Sequence, residues 1–402
     1  MTSEFSNPTI QTLGIRAIED CYYLRHFSPH ALEVIIATVL NHSTSTSLLQ
    51  IQGNYALRVF ARTKFPRSNI TKVFSSMAEV LVSHLFRILV LHSDSNHLKL
   101  SSLRLLHVLG SSFPTALRAI SSDKDNSVGL LLSLLSFHKG IGRIAMSLLS
   151  FVAENNEGRD AILGHEGVEK VMQTMKACLD DPLLLCNGTA VLSWVLLSKP
   201  STEGTFFHPF NYDSVDTLCD ILGRHLEDGC LFGNTICALV GYLTYNGGIV
   251  ERYWKKTLPI LLQGLAVHKQ TRKVARCCLR LLRILTMDCS SCQNAVLHHH
   301  LEAIDSTMQH FITDDRMQEE AIGILGNICV SISSQETLCQ SVVIETVLKC
   351  QENGPTNPRL RQVTLWFHNQ LLHYSNASKA DFSFGGTHEN LQALMHHRLT
   401  MQ

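Results

Sequence analysis

Residues 320 to 328 read Glu320-Ala-Ile-Gly-Ile-Leu-Gly-Asn327-Ile, and the five residues Ala321-Ile322-Gly323-Ile324-Leu325 within them are one copy of a word that recurs along the chain. Upstream the word reads Ala56-Leu57-Arg58-Val59-Phe60, Ser102-Leu103-Arg104-Leu105-Leu106, Ala145-Met146-Ser147-Leu148-Leu149 and Ala190-Val191-Leu192-Ser193-Trp194. It continues as Cys237-Ala238-Leu239-Val240-Gly241 and Cys278-Leu279-Arg280-Leu281-Leu282, and after residue 325 as Thr364-Leu365-Trp366-Phe367-His368. Successive copies are 46, 43, 45, 47, 41, 43 and 43 residues apart. The first column is small and the second apolar in all eight, and the fourth is apolar in seven, which is the patterning of a helix whose tightest contact needs a small side chain.

A second apolar segment, ending in a polar break, precedes most copies. It runs from Ala31 to Leu40 before NHSTSTS, from Val80 to Leu91 before HSDSNH, from Val168 to Leu179 before DDP and from Val215 to Leu226 before EDG. Leu258 to Val267 before HKQ and Leu301 to Phe311 before ITDD follow the same plan. Each unit therefore reads as helix, tight polar turn, helix, with Asp181-Pro182, Asp228-Gly229 and Asn353-Gly354-Pro355 as punctuation and with no strand signal. One such unit cannot bury its own apolar surface, so neighbours must stack and share a core. The chain is thus expected to be a solenoid.

A period of about 44 residues, a long second helix and the phrase EAIGILGNI resemble armadillo repeats. The segment Phe151-Val-Ala-Glu-Asn-Asn-Glu-Gly-Arg159-Asp-Ala-Ile162 resembles that family's closing segment, with its Asn-x-x-Arg-x-x-Ile flavour. The resemblance implies an all-α, right-handed α-solenoid of about eight armadillo-like repeats over residues 30 to 375. Residues 1 to 29 would then be an N-terminal segment or capping helix. Residues 376 to 402 would be a tail whose Leu391, Leu394, Met395 and Leu399, at helical spacing, suit a capping helix better than a peptide folded back onto the array.

Composition narrows the classes of function. Lys plus Arg and Asp plus Glu are both 34 in 402 residues, so no net charge draws the chain to nucleic acid or to an anionic membrane. Charge is instead blocked: 10 basic and 6 acidic residues over 1 to 110, 5 and 13 over 151 to 230, and 9 and 1 over 249 to 283. The acidic block reads as internal charge balance more than as a second docking surface. The start MTSEFSNPTIQTLG has neither a basic nor an apolar region of a secretory signal, and no run of about 18 apolar residues is read in the chain. The expectation is an intracellular protein, cytoplasmic and possibly nuclear, whose thirteen cysteines are free thiols and whose sequons at Asn41, Asn69, Asn187 and Asn376 are chance matches.

Chemistry has few candidates. The stretch CSSCQNAVLHHH brings Cys289, Cys292, His298 and His300 close in sequence, and these are ligand types that zinc takes. A single Cys-x-x-Cys is weak, however, and the repeat register places the stretch as a linker, which favours structural cysteines and solvated histidines over a metal. Gly140-Ile-Gly142-Arg143 reads as a turn between helices, and Asp180-Asp181 and Asp314-Asp315 as turn and N-cap residues. The chain contains no GxxxxGK[ST], GxSxG, HExxH or GxGxxG motif. A non-enzymatic protein without a cofactor is the expectation, with a protein or peptide as partner, no small-molecule substrate and no membrane insertion.

Binding then falls to the surface of the word helix, which in armadillo proteins lines the concave face. Positions two before, two after and six after the small residue share one outward stripe. Two after, it reads Arg58, Arg104, Ser147, Leu192, Leu239, Arg280, Gly323 and Trp366; Arg62, six after, and Arg143 and Arg276, two before, extend it. Arginine forks at a repeated position suit carboxylates or phosphates on an extended chain. Import adaptors of this family hold basic signals with repeated Trp and Asn, matched here only by Trp366 and Asn327, and no basic arm precedes the array. The sharper expectation is a scaffold or adaptor with a basic groove for an acidic or phosphorylated segment. The alternatives are an import-type cargo adaptor, an Hsp70 nucleotide-exchange regulator and a cytoskeletal or ciliary component.

Overall fold

The computed structural model describes Thr12, Ile15 and residues 29–41, 47–62, 67–124, 126–198, 212–244, 250–329, 332–352 and 357–377. Of the expected N-terminal segment, residues 1 to 29, only Thr12, Ile15 and Pro29 are described, and of the expected tail, residues 376 to 402, only 376 and 377. All described elements are helices, with no strand among them, as the repeat reading requires. They belong to two compact units, Met1–Pro209 and Phe210–Gln402.

Each unit carries four word helices. In the first they are Ser47–Arg62, Asn96–Ser112, Lys139–Val152 and Pro182–Leu197; in the second, Gly229–Thr244, Arg272–Met287, Asp315–Ile328 and Pro358–Ala377. Within each unit the broadest contacts run from one word helix to the next. A word helix between two others is therefore covered on both flanks. Arg272–Met287, for example, buries Val274, Ala275, Cys278, Leu281, Leu282 and Leu285. Each fully buried leucine contributes roughly 1.5–3 kcal/mol relative to an exposed one.

The second apolar segments are also helices, among them Pro29–Asn41, Gly167–Ala177, Tyr212–Arg224 and Leu301–His310. What reads as linker is partly helix as well: Pro114–Ser121, Asn156–Gly164, Ser290–His299 and Ile332–Cys339 are short first helices, so these repeats have three helices where the sequence suggests two. Asn155 caps the second of them by accepting from the Gly158 amide at 2.7 Å. Glu166, at φ 57°, then breaks it from the following helix. Residues 67–91 contain neither Gly nor Pro and run as one helix of 25 residues. Its stretch Thr71–Leu91, although interrupted by Lys72, Glu79 and Arg87, is long and apolar enough by length and composition to cross a bilayer, yet half of it is buried in the protein, where Leu81, Leu85 and Ile88 are core residues.

Burial corrects the register in two repeats. In the word helices at Ala56, Ser102, Ala145, Cys278 and Ala321, the small residue and the residues one, three and four after it are buried, apart from a half-buried Val59. The same signature in Pro182–Leu197 starts at Gly188, and in Gly229–Thr244 at Thr235, two residues before the positions read from sequence. Leu192 and Leu239, expected on the outward stripe, are fully buried. Ala190 and Cys237 take their places. The spacings become 46, 43, 43, 47, 43, 43 and 43, more regular than the sequence reading suggests.

The corrected register exposes a second constant. Seven residues before the small position stand Ser95, His138, Asp181, Asp228, Thr271, Asp314 and Asn357, and each directly precedes a word helix. Ser95, His138, Asp181, Asp228, Asp314 and Asn357 accept a backbone N–H of the first turn, as at Asp181 Oδ1 from Leu184 at 3.3 Å and Asp228 Oδ1 from Leu231 at 3.0 Å. Otherwise those amides would be orphaned at a helix start. Asp181 and Asp314 are N-caps as expected, whereas Gly140 and Gly142 are not a turn but the first turn of Lys139–Val152. A methyl at Gly142, the fourth residue of the helix, would come within 2.9 Å of the Leu135 carbonyl oxygen, so the close approach there suits a residue without a side chain.

Candidate functional site

In the first unit the stripe gathers positive charge. Arg58 and Arg62 lie on Ser47–Arg62 and Arg104 on the adjacent word helix. Arg104 and Arg62 are exposed and Arg58 is half-buried, with its guanidinium 5.1 Å from the centre of the exposed Tyr55 ring. Burial of the Arg58 guanidinium, and then the like charges of Arg104 and Arg62, lower its pKa from the ordinary arginine value. None of the three reaches a carboxylate among the described residues. Next to them, His107 has its pKa lowered by burial and by Arg62; its Nε2 lies 3.0 Å from Ser147 Oγ and its ring 5.2 Å from that of Phe151.

Arg143 stands apart from this cluster. Its Nε donates to Asp181 Oδ2 at 2.6 Å, and Lys139 Nζ lies 3.9 Å from the same oxygen, so both cations face a buried cap of the next repeat. The acidic block contributes similar ties: in the second unit Lys256 lies 2.7 Å from Asp220 and 3.7 Å from Asp216.

The second unit's basic run is divided. Arg272 is paired with the cap Asp314, whose carboxyl is held below its ordinary pKa chiefly by that guanidinium. Arg283 Nη1 donates to Glu320 Oε2 at 3.3 Å, and its chain lies where a methyl on Gly323 would fall. Lys273, Arg276 and Arg280 reach no carboxylate among the described residues; they surround two thiols, Cys237 and Cys277, whose sulfurs are 3.3 Å apart. Sequence reasoning missed this pair because the two-residue register error moved Cys237 off the stripe.

Asn327 and Trp366, the two positions that echo import adaptors, both contact neighbouring repeats. Asn327 Nδ2 donates to the Arg283 carbonyl at 2.9 Å and to Thr286 Oγ1 at 3.2 Å. The Trp366 ring lies over Gly326, where a methyl would overlap it, and keeps 38% of its surface exposed.

Cys289 and Cys292 are buried, and burial raises their thiols to about 11 and about 12. Cys289 caps Ser290–His299, accepting from the Cys292 amide at 3.2 Å and donating to Glu251 Oε2 at 2.9 Å, while Ser291 Oγ donates to Glu251 Oε1 at 3.0 Å. His298 is exposed and His300 half-buried. Among the described residues no group of three or more His, Cys, Asp or Glu side chains is placed to hold a metal ion.

No model of a known protein family matches the chain, and no curated protein matches its sequence. Its fold does match solved structures. A chain from a study of a conserved phosphorylation switch controlling the interaction between cadherin and β-catenin aligns with a TM-score of 0.58 at 12% identity, over 85% of this chain and 78% of that one. Importin β, crystallised in ammonium sulfate, aligns with a TM-score of 0.50 at 13% identity, over 86% of this chain and 42% of that one. The fold is thus an all-α solenoid of the armadillo and HEAT type.

Proposed function

We propose that this chain is a non-enzymatic scaffold or adaptor of the cytoplasm or nucleus that binds a protein partner through an extended acidic or phosphorylated segment. The observation that carries the reading is the cluster of Arg58, Arg62 and Arg104, in which burial and then the like charges lower the Arg58 pKa and which has no carboxylate partner among the described residues. Uncompensated arginines on a repeated helix face make charge-assisted, bidentate contacts with carboxylates and phosphates, each worth roughly 1.5–3 kcal/mol. Tyr55 beside them offers an aromatic face to the same ligand. The fold is in keeping with this, since helical-repeat solenoids present long surfaces suited to extended chains. One structurally similar chain comes from a study of a phosphorylation switch that controls the interaction between cadherin and β-catenin, and a phosphorylated ligand is the chemistry this cluster suits.

The test is fluorescence anisotropy with three labelled peptides: a Glu-rich peptide carrying phosphoserines, its unphosphorylated form and a Lys-rich control. The phosphopeptide is expected to bind best, with an affinity that falls with salt. Reversing Arg58→Glu with Arg104→Glu is expected to weaken it at least about tenfold, equivalent to about 1.4 kcal/mol, with the circular dichroism unchanged. Equal binding of the Lys-rich peptide, or a folded reversal variant that binds as well as wild type, would sink the proposal.

A further inference from the structure

The thiols of Cys237 and Cys277 face each other across two successive repeats of the second unit. Cys237 lies on Gly229–Thr244, half-buried, and Cys277 on Arg272–Met287, buried, with Sγ atoms 3.3 Å apart. A disulfide needs its sulfurs at about 2.05 Å, so closure requires a movement of roughly 1.3 Å shared between two side chains on packed helices. Lys273, Arg276 and Arg280, spaced along the same helix as Cys277, are near enough for their charges to act on Cys237, and those of Arg276 and Lys273 act on Cys277 as well. Cations beside a partly accessible thiol are the setting in which a cysteine becomes reactive. We propose that Cys237 and Cys277 are a redox modification site, closed to a disulfide by hydroperoxides and reopened by dithiols.

The electron count is complete. The Cys237 thiolate attacks one oxygen of hydrogen peroxide, breaking the O–O bond to give a sulfenic acid and hydroxide, which takes up a proton as water. The Cys277 sulfur then displaces the sulfenic hydroxyl and loses its own proton, forming the S–S bond and a second water. Two thiols are oxidised by two electrons and one peroxide is reduced. Cys237 is assigned the first step because it is the more exposed of the two and because a hydrogen bond from the Cys277 thiol, which the 3.3 Å contact allows in either direction, and then the three cations favour its ionised form against the opposing effect of burial. Buried thiols elsewhere are set against this chemistry: burial raises Cys292, Cys329 and Cys350 each to about 12. Closure would also replace a thiolate amid three cations with a neutral bond and tie two helices together.

The test uses the reduced full chain, limiting hydrogen peroxide, alkylation of the remaining thiols and tryptic mapping by mass spectrometry. The expected product links the peptide from His225 to Arg252 with Cys277-Cys278-Leu279-Arg280, and dithiothreitol reverses it. Because these peptides also hold Cys230 and Cys278, the link should persist in Cys230→Ser and Cys278→Ser and vanish in Cys237→Ser and Cys277→Ser. Fragmentation of the wild-type linked peptide assigns the sulfurs even where a variant does not fold. In wild type, iodoacetamide should label Cys237 severalfold faster than the exposed Cys230, an advantage reduced by Arg276→Gln with Arg280→Gln. Oxidation that leaves Cys237 and Cys277 unlinked, or that proceeds equally at Cys230, would overturn the proposal.

Discussion

Replacing Asp181 tests how successive repeats of the first unit are joined. Its side chain is 1% exposed and holds two things at once: Oδ1 caps the helix Pro182–Leu197 by accepting from Leu184 N at 3.3 Å, and Oδ2 accepts from Arg143 Nε at 2.6 Å. Loss of a cap costs about 1 kcal/mol, and loss of a charge-assisted hydrogen bond about 1.5–3 kcal/mol. Arg143 keeps 41% of its side chain exposed and can return to water, so Asp181→Ala does not strand a charge. The sum is about 3 kcal/mol. Asp181→Asn retains a cap acceptor and should cost only about 1–2 kcal/mol. Arg143→Ala leaves the buried carboxylate to Lys139 at 3.9 Å, so it should cost more than an ordinary exposed arginine. Urea denaturation followed by circular dichroism gives the energies, and hydrogen exchange over residues 182–197 localises the loss. In the double variant, Arg143→Ala should add little once Asp181 is gone, a coupling of about 1–2 kcal/mol. If Asp181→Ala costs less than about 1 kcal/mol, or the two changes simply add, the contact is a surface pair that does not join the repeats.

Two further outcomes check the packing and the buried polar groups. A methyl at Gly264 would overlap the fully buried Phe232 ring, so Gly264→Ala should destabilise by about 1–3 kcal/mol despite its better helix propensity, whereas Gly223→Ala, meeting only Ile260 Cδ1 at 3.8 Å, should stabilise by up to about 1 kcal/mol; a destabilised Gly223→Ala and a neutral Gly264→Ala would reverse the reasoning. Burial and then Arg87 push His84 down to about 4 from an ordinary 6.5, so the unfolded chain binds the extra proton in that window, and stability falls as pH falls from 6.5 towards 4, by up to roughly 3 kcal/mol. Denaturation of His84→Gln at about pH 7.5 and about pH 5 should show a smaller drop than wild type, reduced but not abolished because burial also pushes His368 down to about 4; an identical drop would remove His84 from the account.

The word helices were legible in the sequence, because a small residue followed by apolar ones at a helical period fits a packed helix and little else. Their phase was legible only where charge marked the outer face. In Arg272–Met287 the arginines at 276, 280 and 283 leave one choice of core, and the sequence register there matches the structure. Pro182–Leu197 reads PLLLCNGTAVLSWVLL and Gly229–Thr244 reads GCLFGNTICALVGYLT, without a charged residue in either. Both phases then fit a small residue followed by apolar ones. The residues that would have settled them, Thr189 and Thr235, look polar but are buried with their hydroxyls returned to the Leu185 carbonyl at 2.9 Å and the Leu231 carbonyl at 2.7 Å. Local bonding of this kind lets a threonine pass as a core residue.

The candidate site was obscured for a related reason. A basic run such as 269 to 283 looks uniform in sequence, because the partners that divide it lie roughly one repeat away: Arg272 with Asp314, Arg283 with Glu320. A one-repeat offset can be read only once the register is right. The signal that fixes the register is the cap, since a helix start must satisfy its first amides wherever the core happens to be ambiguous. Asp181 and Asp228 stand seven residues before Gly188 and Thr235, as Asp314 stands before Ala321, so aligning the repeats on their caps, and not on their apolar columns, places Cys237 on the outer face. With Cys237 there, the face between Lys273 and Arg280 no longer reads as solvated charge around an apolar middle. It reads as three cations gathered about a pair of thiols.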